Sequence, residues 1–189
     1  PPAAPAQDRF DVVVSAGGGA VGLRLLRAAL EARPATRLAK ARWCLVTGPN
    51  LDRAAAMELE RAAPPGVSIE RFRSDLPTLF AGARLSISQA GYNTAADVLS
   101  ARCRAVMVPF AAGGETEQSR RARLLAARSL ASVAEEADLD AERLATAIET
   151  AMDRPAPPPE AWPDLGGGPN TARLLRESLA ARCFAKRDG

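Results

Sequence analysis

The sequence has 189 residues, 47% of them hydrophobic and 25% charged, with a formal net charge of +3. That length supports one well-buried domain and at most a small second one. The cations are nearly all arginine, with lysine only at Lys40 and Lys186, and the absence of a basic block or of interleaved basic and aromatic residues argues against nucleic acid as a partner. Cys44, Cys103 and Cys183 are too few and too scattered for a disulfide framework or a zinc site, which fits a reducing cytosol, and no apolar run approaches the roughly 18 residues needed to cross a bilayer.

Residues 1–9, opening on Pro1-Pro2-Ala3-Ala4-Pro5 without methionine, read as an interdomain linker, with further sequence expected upstream. A domain is then predicted over 10–153. Phe10 to Ala16 reads as a buried strand running into Gly17-Gly18-Gly19-Ala20-Val21-Gly22, with a helix from about Leu23 to Glu31. A strand, a glycine turn and a helix form an arrangement that can seat a phosphate. The second unit is a strand from Arg42 to Thr47, a turn at Gly48-Pro49-Asn50 and a helix from about Asp52 to Ala62. The third is a short strand from Val67 to Phe72, then a helix to Gly82 for which Asp75 is the predicted N-cap.

The stretch that organises the rest is Leu85-Ser86-Ile87-Ser88-Gln89-Ala90-Gly91-Tyr92-Asn93-Thr94-Ala95-Ala96-Asp97, read as strand, tight turn and helix. The first amides of such a helix have no internal partners and carry the positive end of its dipole, so they can hold a phosphate. Asp97, three residues after Thr94 and four after Asn93, shares a helical face with both, one turn below that seat. A carboxylate there could accept hydrogen bonds from sugar hydroxyls. Diphosphate at the tip and ribose on the flank would make a nucleotide-sugar site. Taken alone, Asp97 reads as an ordinary solvated carboxylate, and Tyr92 and Asn93 as turn residues.

Ala105 to Pro109 is a fifth strand followed by a glycine-containing loop. A helix runs from about Glu117 to Arg128, Leu130 to Val133 is a last short strand, and a helix from about Asp140 to Met152 closes the domain. Residues 154–169 are a Pro/Gly-rich linker, and 170–189 read as an amphipathic helix with Leu174, Leu175, Leu179 and Phe184 on its apolar side. Strands that alternate with helices and are apolar along most of their length predict an α/β fold. The expected architecture is a Rossmann-like three-layer domain with a parallel sheet of about six strands and ligands at the carboxyl edge.

The runs Ser88 to Asp97, Val106 to Phe110 and Glu117 to Ala122 resemble the C-terminal, donor-binding half of GT-B glycosyltransferases, in particular the MurG-like UDP-N-acetylglucosamine transferases of glycosyltransferase family 28. Gly17-Gly18-Gly19 is similar to that half's opening glycine loop. The resemblance covers about Asp11 to Met152 and implies one half of a GT-B fold. It implies that Gly91, Tyr92, Asn93 and Thr94 hold the donor diphosphate; from the order of elements, Gln89 and the Gly17 to Gly19 loop fall at the same carboxyl edge. It also implies that Asp97 binds ribose, that Gln118 contacts the sugar, and that Phe72 and Arg73 pass the base. Two departures bear on the donor sugar and base: Asp97 stands where glutamate is often found, and Arg121 where the family has asparagine.

The function implied is transfer of a hexosyl group from a nucleotide-sugar, expected to be a UDP-sugar, to a hydroxyl acceptor, with no metal cofactor required. The chain has no histidine and no evident nucleophile-base pair. The general base and the acceptor pocket are therefore expected on an N-terminal domain or a partner subunit, and this piece alone should be inactive. It is expected to be cytoplasmic, peripheral at the inner membrane only through that missing domain. The alternatives are a non-catalytic nucleotide-binding subunit of a two-component glycosyltransferase and a UDP-sugar epimerase of the same fold. Gly17, Gly19 and Gly22 also spell G-x-G-x-x-G, but an NAD site wants an acid at the end of the second strand, where Val46-Thr47-Gly48-Pro49 has none. Asp138-Leu139-Asp140 spells a metal-binding D-x-D but sits where a helix N-cap is expected.

Overall fold

Six short strands lie side by side in one parallel sheet: β1 (Val12–Ser15), β2 (Trp43–Val46), β3 (Val67–Glu70), β4 (Leu85–Gln89), β5 (Ala105–Val108) and β6 (Ser132–Val133), in the order β3-β2-β1-β4-β5-β6. The computed structural model describes residues 9–18, 22–110, 116–163, 165 and 176. Gly19 and the expected helix over 170–189, apart from Arg176, lie outside those residues.

Each strand is followed by a helix: α1 (Leu23–Ala32), α2 (Arg53–Ala62), α3 (Leu76–Gly82), α4 (Tyr92–Ala101), α5 (Glu117–Ala127) and α6 (Ala141–Asp153). The four residues of β1, and those of β2 and β5, are all buried, as strands covered on both faces must be. Alternation along the strands splits the core in two. Val12, Val14, Leu45, Ile87 and Val106 meet α1 and α6 through Leu25, Leu26, Leu144 and Ile148. Val13, Cys44, Ala105 and Met107 meet α3, α4 and α5 through Phe80, Val98 and Leu125.

Two local details differ from expectation. Asp75 occupies the N-cap position of α3, but its side chain makes no capping bond, because both oxygens are taken by Arg73, with Nε–Oδ1 and Nη2–Oδ2 each at 2.8 Å. The last strand shrinks to two residues because Ser129 adopts a positive φ of 59° and Leu130 N–H bonds back to Leu125 O, which keeps the chain turning until Ala131. Part of the expected linker packs on the domain: after α6 a short 3-10 turn at Pro159–Ala161 brings Trp162 against the α3–α4–α5 side of the core.

The chain builds outward from β1 to β2 and β3, then returns to place β4 on the other side of β1. Val12 pairs in register with both Trp43 and Leu85. The connections after β1 and β4 therefore diverge at one point on the carboxyl edge and leave a crevice between them, the usual ligand position in open α/β sheets.

Candidate functional site

Two turns meet at that point. On the β4 side, Gly91 is the N-cap of α4 with φ −58° and ψ 153°, and no side chain caps the helix. The first helical bond is Ala95 N–H to Gly91 O, so the amides of Tyr92, Asn93 and Thr94 have no backbone acceptor among the described residues. Tyr92 is 75% exposed, and Asn93 is exposed beside it. Ser88 and Gln89, which lead into the turn, are buried, and Ser88 Oγ and Gln89 Nε2 lack hydrogen-bond partners among the described residues. Two orphaned buried polar groups below an uncapped helix tip are costly unless something polar completes them.

On the β1 side, Gly17 has φ +72°, and a Cβ there would stand 3.3 Å from Gln89 Oε1, so the glycine lets the loop close over the glutamine. This contact brings the first glycine of the triglycine run and the β4–α4 turn to a common floor. Gly18 is held from the other side by Asn50, whose Nδ2 donates to Gly18 O at 2.5 Å. Gly48, φ +82°, lies so close that a Cβ on it would overlap Gly17 O. Gly48 and Asn50 belong to a stretch that the sequence showed only as a turn. Their part in the site is set by the β1–β2 register, and the turn composition Gly48-Pro49-Asn50 beyond a strand marked only the turn.

Asp97 lies in the second turn of α4, half-buried, with no hydrogen bond or ion pair among the described residues. Burial alone raises its pKa above the ordinary 3.8, so the carboxyl group is desolvated without compensation. Gln118, in the first turn of α5, accepts the Phe110 N–H on Oε1 at 3.2 Å and thereby ties α5 to the end of the loop entrance after β5. Arg121, one turn further, donates from Nη1 to Ala90 O at 2.5 Å and lies 5.7 Å from the centre of the Tyr92 ring. Phe72, 68% exposed, stands just beyond β3 on the same edge, two strands from the crevice.

Residues 12–161 match the model of the glycosyltransferase family 28 C-terminal domain. The chain belongs to that family. A relative from Xanthomonas campestris pv. campestris, a UDP-N-acetylglucosamine–N-acetylmuramyl-(pentapeptide) pyrophosphoryl-undecaprenol N-acetylglucosamine transferase, is 29% identical over 180 residues, covering 90% of this chain and 38% of its own length. The chain thus spans well under half of that relative. Among solved structures, the calicheamicin glycosyltransferase CalG4 superposes with a TM-score of 0.67 at 21% identity, over 94% of this chain and 44% of that one. MurG from Acinetobacter baumannii gives 0.61 at 19% identity, over 79% and 43%. At such identities the structures bear on the fold, which is the Rossmann-like half expected from the sequence.

Within this family 28 domain, Arg73, expected to pass the base, has local ion-pair partners, and Asp140 is the helix cap expected from the sequence. Arg73 is clamped between Glu70 (Nη1–Oε2, 3.1 Å) and Asp75, and these ion pairs and hydrogen bonds raise its pKa further. Its charge serves the β3–α3 corner, and Phe72 is the large apolar group there that faces solvent. Asp140 is a helix cap, with Oδ1 accepting Arg143 N–H at 2.8 Å. Replacing Asp140 with alanine is expected to cost about 1 kcal/mol of stability and to leave nucleotide affinity unchanged, to be read from a thermal melt and a titration. No helix among the described residues is long and apolar enough to cross a membrane.

Proposed function

We propose that this chain is the nucleotide-sugar-binding half of a glycosyltransferase that moves a hexosyl group from a UDP-sugar to a hydroxyl acceptor. The observation that carries the reading is the meeting of the Gly17 loop and the uncapped α4 tip at the β1/β4 switch point, with the buried Gln89 amide as their shared floor and Asp97 one turn below.

In this reading the amides of Gly91, Tyr92, Asn93 and Thr94 receive the diphosphate, aided by the positive end of the α4 dipole. Gly17 and Gly18 close over its other side; Gly19, expected to join them, lies outside the described residues. Asp97 accepts hydrogen bonds from ribose hydroxyls, Phe72 with its neighbour Arg73 borders the base, and Gln118 lies toward the hexose. Charge on the leaving diphosphate is met by oriented amides, so the reading asks for no metal ion. The acceptor pocket and the general base belong to a second domain or subunit, which also supplies any contact with the membrane. A site that binds donor but carries no base holds the sugar nucleotide and transfers nothing.

Isothermal titration of the chain with UDP, GDP and NAD tests the reading. UDP is expected to bind with micromolar to sub-millimolar affinity and in preference to the other two. Preference for NAD, or no binding of UDP, would overturn it.

A further inference from the structure

Several of the chain's arginines have carboxylates close at hand. Arg27 pairs with Glu58 at 2.8 Å, Arg37 with Glu149 and Asp153, Arg73 with Glu70 and Asp75, and Arg143 with Asp140. Others, such as Arg24, Arg33 and Arg104, are held by backbone carbonyls, and Arg121 is of this second kind but stands beside an uncapped helix tip. Its side chain is only 24% exposed, and the nearest carboxylate, Glu117 Oε2, is 3.9 Å away on a side chain that is 84% exposed. What fixes the guanidinium is neutral: the Ala90 carbonyl at 2.5 Å and the face of Tyr92 at 5.7 Å. Ala90 immediately precedes the α4 N-cap and Tyr92 is the first helical residue, so this half-desolvated cation is pinned against the positive end of a helix.

Two positive elements side by side repel unless an anion joins them. The third polar group at this spot is also a donor: Gln89 Nε2, on a side chain 5% exposed, has no acceptor among the described residues. The unpartnered amides and Gln89 Nε2, with the guanidinium beside them, gather several donors around one turn. An anion with several oxygens spread over more than one centre satisfies such a set, and a planar fork with a fixed orientation suits it.

We propose that Arg121 is a ligand-binding residue that engages the diphosphate of the donor and sets the preference for a nucleoside diphosphate over a monophosphate or a nucleoside. The bond from Nη1 to Ala90 O keeps the guanidinium beside the α4 tip, and the bound phosphate supplies the close anion that Glu117, at 3.9 Å, does not. This inference rests on the nucleotide-sugar reading of the site.

The experiment is a titration of the wild-type chain, Arg121→Gln and Arg121→Lys with UDP, UMP and uridine, alongside thermal melts. Arg121→Gln is expected to weaken UDP about tenfold while uridine stays within about twofold, and Arg121→Lys, which keeps the charge but not the fork, is expected to fall between. In the wild type, UDP affinity is expected to fall more steeply with added salt than UMP affinity, a readout that needs no variant. Unchanged UDP binding in Arg121→Gln overturns the inference and leaves the donor site standing. An equal loss of UDP and uridine also overturns it, because it assigns Arg121 to holding the turn in shape. A wild-type chain that binds none of the three overturns both readings together.

Discussion

Replacing Gly48 with alanine is expected to lower stability by about 2–5 kcal/mol and to weaken nucleotide binding at the same time. Two costs combine. An L-residue held at φ +82° costs roughly 1–2 kcal/mol, and a Cβ that overlaps Gly17 O forces a shift of the kind that costs about 1–3 kcal/mol. The neighbouring loop cannot simply yield, since Gly17 is itself confined by Gln89 and Gly18 by Asn50. For a chain of this size the melting temperature should drop by about 5–20 °C. Gly18→Ala is the matched control, because nothing lies within 4 Å of its added Cβ, and its stability should stay within about 0.5 kcal/mol of wild type. A Gly48→Ala protein that melts like wild type and binds UDP equally well would show that the loop floats free of the β2–α2 turn.

Asp97→Ala is expected to weaken UDP by about 10- to 100-fold, the range for losing hydrogen bonds to a charged group. Asp97→Asn separates charge from shape. In the empty protein, burial holds the Asp97 pKa above its ordinary 3.8, so the unfolded chain gives up this proton at a lower pH than the folded one. The folded state is therefore penalised progressively as pH rises through that interval, and the penalty is fully present at neutral pH. Asp97→Asn removes it, so the empty variant should melt no lower than wild type at pH 7 while binding UDP more weakly. In the wild type, ribose hydroxyls favour the ionised carboxylate and UDP affinity should decline on acidification through the raised pKa. The asparagine variant should lack that decline in titrations across the same pH range. Equal UDP affinity in Asp97→Ala and wild type would remove Asp97 from the site.

What the sequence conveyed depended on how local the cause was. Val12 to Val14 and Val106 to Val108 announce buried parallel strands because both faces must be apolar, and Gly91 before a helical run announces an uncapped tip. The capping of α6 by Asp140 was equally legible, since donor and acceptor lie three residues apart. Asp75 misled for a related reason: its position is that of a cap, but an arginine two residues upstream offers it two charged N–H groups, which outcompete one amide. Gly48, Asn50 and the grip of Arg121 on Ala90 were not legible as parts of the site. Each acts across strands or between helices, through a register that no short window of sequence contains. The strand order was out of reach for the same reason, although alternation of elements sufficed for the class of fold.

The placement of β1 beside β4 also governs how the molecule is made. The first three strands can assemble from near neighbours in the chain, but the central seam, where Val12 meets Leu85, closes only after the whole intervening segment has been gathered in. Long-range closure of that kind is slow because the chain loses its freedom before the contact rewards it. The crevice is therefore among the last features to appear during folding, and a nascent chain released before Leu85 has the glycine loop with nothing opposite it.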